Sequence, residues 1–162
     1  MWLNAQTGTA ASGDPAAVRG CETFVRITSL IEQELGCPPL VLVVEGDEET
    51  RDGIEKLLAA DGYRVETARD EMDAVDRASR CCPTLILVSL AGSPDQVVAA
   101  AVRVRRRADL DASVPVVVFS VPTIDEGAEI ALGRNVHITR PDNFDQLRAL
   151  LGRVILKSLR VI

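Results

Sequence analysis

Few side chains in this sequence are suited to chemistry, and most of them directly follow an apolar run. Leu40–Val44 leads into Glu45-Gly46-Asp47, Thr84–Val88 into Ser89, Val116–Phe119 into Ser120, and Val136–Ile138 into Thr139-Arg140-Pro141. Carboxylates such as Glu45 and Asp47 can ligate a hard cation. A serine can attack an electrophile when a base activates it. Ser89 lacks the Gly-x-Ser-x-Gly elbow, because Leu87 holds the first glycine's place. It therefore reads as a structural hydroxyl, bonded to backbone or to Arg140. His137, the only histidine, has no carboxylate close in sequence to make it a general base. Asp47, followed by Glu48 and Glu49, reads as a helix cap with acids in the first turn. Glu45 reads as the ion-pair partner of Arg140, whose guanidinium keeps its charge and needs an acid or a carbonyl. The acidic stretch Glu45–Glu49 would repel a phosphate, and no glycine-rich phosphate loop follows the first apolar run.

These residues need elements to position them. The apolar runs are continuous, as in strands covered on both faces. Between them lie amphipathic stretches. One follows Asp47 and buries Ile54, Leu57 and Leu58. One starts at Asp70 and carries Met72, Val75 and Ala78. Asp95–Arg107 turns Val98 and Val102 inward, Ile124–Leu132 reads as a short helix, and Asn143–Leu159 carries Phe144, Leu147, Leu151, Val154 and Ile155. With Tyr63–Thr67 as a further short strand, the alternation implies a parallel sheet with helices on both faces. Right-handed crossovers leave few topologies, and a flavodoxin-like (βα)5 sheet in the order 2-1-3-4-5 is the expected one. Ligands on such a sheet bind at the carboxyl ends of the strands, where the residues above converge. Residues 1–38 read as an N-terminal extension: a flexible tail over 1–20, then a helix over about 22–35 with Phe24, Ile27, Ile31 and Leu35 on one face. Gly36 and Pro38-Pro39 stop that helix, and docking on the domain is its expected role. Residues 39–162 form the main domain.

From Pro39 to Ile155 the sequence resembles response-regulator receiver domains of the CheY-like kind. A receiver opens with an apolar strand ending in two acids, and Val43-Val44-Glu45-Gly46-Asp47 takes that place. Pro83-Thr84-Leu85-Ile86-Leu87-Val88-Ser89 follows the third-strand pattern, with Ser89 where the phosphoacceptor aspartate belongs. Ser120 matches the switch hydroxyl, His137 falls on the switch aromatic, and Arg140-Pro141 stands for the Lys-Pro pair, whose peptide bond is commonly cis in receivers. The resemblance implies phosphotransfer onto a carboxylate with Mg²⁺, and this chain departs from it. Gly46 offers no ligand, Ser89 is a protonated hydroxyl, and a guanidinium replaces the amine. The expectation is a degenerate, pseudo-receiver module of a two-component phosphorelay. It is not an enzyme, needs no cofactor, and binds Mg²⁺ weakly at best.

The partner is then a protein: a kinase, another receiver or a second copy in a homodimer. No output domain is expected after Ile162, so the message is expected to leave by docking or oligomerisation. The expected surface is the one receivers build from the fourth helix, fifth strand and fifth helix, binding constitutively, with Arg148, Arg153 and Lys157 available for polar contacts. An active receiver phosphorylated at an unusual residue and an enzyme on the same scaffold are the alternatives. Net charge is −6, from 18 basic and 24 acidic residues, which argues against nucleic acid. The run Arg103, Arg105, Arg106 and Arg107 reads as solvated cations at a helix C-terminus. Cys21, Cys37, Cys81 and Cys82 form no Cys-x-x-Cys pair, and one histidine adds little to a zinc site. They read as reduced thiols of a cytoplasmic protein. No stretch is long and apolar enough to span a membrane, and no signal peptide is evident.

Overall fold

A computed structural model describes residues 15–119 and 121–160, with side chains from Phe24 onward. Apolar runs become strands and amphipathic runs become helices. In chain order these are α1 (Pro15–Leu35), β1 (Leu40–Glu45), α2 (Glu48–Ala60), β2 (Arg64–Ala68), α3 (Glu71–Cys81), β3 (Leu85–Ser89) and α4 (Pro94–Arg107). Then come β4 (Val116–Val118), β5 (Glu129–Gly133), β6 (Val136–Thr139) and α5 (Phe144–Arg160). The sheet order is β2-β1-β3-β4-β6-β5. All neighbours pair in parallel except β5 with β6, which are antiparallel. The fold is α/β and flavodoxin-like: its five parallel strands keep the expected order, and one antiparallel strand is added at the edge.

Two apolar layers sandwich the sheet. Val41, Val43, Leu85, Leu87 and Val117 face α1, α2 and α5. Leu42, Val44, Ile86, Val88 and Val118 face α3 and α4. Strand alternation makes this division, since successive side chains point to opposite faces. Local chemistry sets the helix starts. Asp47 accepts the Thr50 N–H at 2.8 Å, Asp70 accepts the Asp73 N–H, and Ser93 with Gln96 forms a capping box.

Several expectations need correction. The helix foreseen over Ile124–Leu132 does not form; its second half is β5. Gly127 (φ +81°) disfavours a helix through that segment, and Arg134 and Asn135, both near φ +55°, make the two-residue turn that suits a hairpin. The helix expected to contribute to the output surface is therefore missing, while the strand and the last helix are present. α1 begins at Pro15, inside the stretch assigned to the flexible tail; residues 1–14 of that tail lie outside the described residues. Met72 is 82% exposed, and Ala74 and Ala78 hold the buried positions of α3 instead. α4 buries Val97, Ala100, Ala101 and Val104, with Val98 and Val102 at the margin, so its inward face is turned from the expected one. The arginine run is only partly solvated. Arg103 makes a two-pronged contact with Glu71, at 2.7 and 2.9 Å. Arg105 is buried and donates to the carbonyls of Ala112, Val114 and Arg134.

α1 docks on α5 through Ile27 and Ile31. Gly152 permits the approach: a Cβ there would lie 2.8 Å from Ile27 Cγ2. Among the described residues, no helix is long and apolar enough to cross a membrane, and Cys37, Cys81 and Cys82 are free.

Candidate functional site at the carboxyl rim

Parallel pairing brings the chemistry-bearing residues to one rim. Glu45 and Ser89 end adjacent strands and are register partners. Gly46 and Asp47 form the turn that follows, and Asp47 is spent on capping α2. Its hydrogen bonds to Thr50 hold its carboxyl below the usual aspartate range. Glu45 folds back and accepts the Asp47 N–H at 3.0 Å, while its carbonyl accepts from Arg51 Nη1.

Arg140 does not reach Glu45. Its Nη1 donates to the carbonyls of Ile124 (3.2 Å) and Pro122 (3.4 Å) in the β4–β5 connection. The loop that replaces the expected helix exposes backbone carbonyls, and these satisfy the guanidinium. The expected Glu45–Arg140 ion pair is thus overturned. The expected bond between the Ser89 hydroxyl and Arg140 does not form either, since Arg140 bonds Pro122 and Ile124. The Arg140-Pro141 peptide is trans, against the cis expectation. Ser120 lies outside the described residues. His137 sits half-buried on β6, between Val117 and Ala131. Burial lowers its pKa, Lys157 and Arg153 lower it further, and Glu129 opposes them.

Leu90, Val97, Val118, Phe119 and Val121 line a cavity of about 20 Å³, roughly the room of one water molecule. A larger cleft of about 420 Å³ lies on β2 and α3, away from the rim. Its charges are mutually paired: Arg77 with Asp73 (2.9 Å) and Glu66 (3.5 Å), and Arg80 with Asp76 (2.8 Å). Mg²⁺, which the fold implies, does not fit the rim residues. Octahedral coordination draws on carboxylates, and here Glu45 bonds a backbone N–H, Asp47 caps a helix and Gly46 has no side chain. Among the described residues, no group of three His, Cys, Asp or Glu could hold a metal.

No family model matches this chain, and no curated protein matches it. Solved structures do. Chemotaxis protein CheY4 of Vibrio cholerae superposes with a TM-score of 0.53 at 19% identity, over 72% of this chain and 98% of its own. The fold is that of CheY-like receivers. A two-component response regulator from Clostridium difficile gives a TM-score of 0.54 at 15% identity, over 72% of this chain and 95% of its own. A chain in the complex of histidine kinase ThkA with response regulator protein TrrA gives 0.56 at 14% identity, over 72% and 97%. At these identities the likeness is one of fold.

One polar cluster was invisible to motif reading. Asp61, at the end of α2, is fully buried, and Arg148 of α5 meets it with two bonds of 2.7 Å. The Arg148 guanidinium lies between the rings of Phe24 (4.8 Å) and Phe144 (5.0 Å). Thr28 of α1 donates to the Asp61 carbonyl. Arg148, expected on an exposed docking surface, is instead only 14% exposed and joins α1, α2 and α5. Arg153 pairs with Glu129 of β5. Of the three expected docking cations, Arg153 and Lys157 remain exposed.

Proposed function

We propose that this chain is a receiver-like module of two-component signalling that does not accept phosphate and acts by binding a protein partner. Residues 39–162 form the receiver-like unit, with α1 as an added helix. One observation carries the reading. At the rim, Ser89 stands beside Glu45 where receivers need a nucleophilic carboxylate, and the cation that should neutralise a phosphoryl group, Arg140, is spent on loop carbonyls. A hydroxyl without an activating base is a weak nucleophile, and a phosphate here would meet neither metal ligands nor a free cation. The receiver-like fold and the co-structure of a response regulator with its kinase support a role in contact-based signalling.

The module has no ligand-driven switch on this reading, because a ligand shifts an equilibrium only by its differential affinity for the two states. Its binding surface is populated constitutively. The test uses a partner captured from the native cell. Its affinity is measured with and without Mg²⁺ and a small phosphodonor. An unchanged affinity is expected; a change of about tenfold, near 1.4 kcal/mol, would mean a working switch.

A further inference from the structure

β5 ends the sheet, and its outer edge has no neighbour within the described residues. Every residue of β5 is exposed, including Ile130 (41%) and Leu132 (49%). Edge strands are usually guarded by charge, proline, a bulge or cover, and β5 carries one irregularity, between Ala131 and Gly133. The only charge on β5 is Glu129, which Arg153 holds. The strand is nevertheless held firmly. Arg105 donates to the Arg134 carbonyl at 2.8 Å, Gln146 to the Gly127 carbonyl at 2.7 Å, and Thr139 to the Ala128 carbonyl at 3.1 Å. The edge is therefore a preformed template rather than a loose loop.

We propose that β5 pairs antiparallel with β5 of a second copy of this chain, joining two sheets into one. The strand is complementary to itself. A two-fold axis at Ala131 sets Ile130 of one copy opposite Leu132 of the other, so the two exposed apolar side chains cover each other. The same axis sets Glu129 opposite Gly133, beside Arg134, at both ends of the pairing. A heterologous strand would have to supply both features, whereas a second copy carries them already. The irregularity between Ala131 and Gly133 keeps the ladder short, so the dimer is weak, as small interfaces are. The proposal deepens the partner-binding reading by naming a partner. A chain that takes phosphate yet dimerises overturns only that reading; a monomer overturns only this one.

The test is sedimentation velocity on the full chain from about 5 to about 500 µM, a range that brackets a weak interface. A concentration-dependent dimer is expected, with amide-exchange protection rising in β5 as it forms. Glu129→Arg and Arg134→Glu, each with a native circular dichroism spectrum, should each be monomeric alone, because like charges then face each other. Mixed, they should dimerise, because each charge then faces its opposite. A wild-type monomer across the whole range overturns the proposal. So does a dimer whose β5 amides gain no protection, a readout that needs no variant.

Discussion

Arg148 and Arg140 sit in two regions that handle a guanidinium in opposite ways. In the α1–α2–α5 knot, Arg148 meets the fully buried Asp61 with two bonds and lies between two phenyl rings. At the rim, Arg140 meets, among the described residues, the carbonyls of Pro122 and Ile124 and stays partly exposed. Burial raises the Asp61 carboxyl above its ordinary pKa, against the opposing pull of Arg148. The contrast shows where charge is structurally committed. The Asp61–Arg148 pair joins helices α2 and α5, whereas Arg140 meets no carboxylate among the described residues.

The sharpest way to break this comparison is to remove each arginine. Arg148→Ala leaves a buried carboxylate unpaired and should cost about 3 kcal/mol by urea unfolding, as breaking buried pairs does. Arg140→Ala removes a partly exposed cation from carbonyls that water can reach, and should cost less than about 1 kcal/mol. Equal losses would erase the distinction. A smaller effect is expected at the buried Arg105. Arg105→Met leaves the carbonyls of Ala112, Val114 and Arg134 without this donor, at a cost of about 2 kcal/mol, with faster amide exchange in β5 and β6. If exchange speeds up in α1 instead, the hairpin anchor is misassigned.

Gly152→Ala tests the knot from its other side. The added methyl gains about 1 kcal/mol of helix propensity. It also meets Ile27 Cγ2 at 2.8 Å, and overpacking a tight contact costs roughly 1–3 kcal/mol. A net loss of about 1 kcal/mol is expected, with exchange rising in α1. A gain in stability would mean that α1 yields without cost.

The smallest effect is pH dependence at His137. Its folded pKa lies below the unfolded value, so the unfolded chain takes up the proton first as pH falls. Stability from this group is full above about pH 6.5 and is lost as pH drops through the lowered folded value. The melting temperature should fall between about pH 7 and about pH 5.5, and less steeply in His137→Gln. Identical slopes would contradict a His137 pKa lowered by burial and by Lys157 and Arg153.

The sequence revealed the parallel half of the molecule well because its signals are local. Leu40–Val44 and Leu85–Val88 are unbroken apolar runs, and Asp47 and Asp70 cap helices from positions that any capping rule finds. The hairpin was missed because Ile124–Leu132 holds enough apolar residues for a helix. The deciding features are Gly127 and the Arg134-Asn135 turn, where an arginine at positive φ is an uncommon turn residue. At the rim, strand ends fixed which residues converge. Side-chain direction did not follow, since Arg140's partners are carbonyls of a loop whose shape no periodicity encodes. The Asp61–Arg148 pair joins residues 87 positions apart, a contact that no local pattern shows. α4 was misjudged for a subtler reason. In a run of valine, alanine and arginine, several helical faces are apolar, and only packing selects Val97 and Val104 over Val98 and Val102.

The central claim, a receiver-like rim that cannot hold phosphate, is tested most directly by intact mass. The wild-type chain, Ser89→Asp, and a triple variant with Gly46→Asp, Ser89→Asp and Arg140→Lys are each incubated with Mg²⁺ and a small phosphodonor. No phosphate on the wild type or on the single variant is the predicted result. In Ser89→Asp the metal ligand at Gly46 is still missing and Arg140 is still held by Pro122 and Ile124. The triple variant restores all three groups and is the one expected to gain phosphate. A stable Mg²⁺-dependent gain of one phosphate on the wild type, mapped to Asp47 or another acid, would contradict the account, as would full phosphotransfer by Ser89→Asp alone.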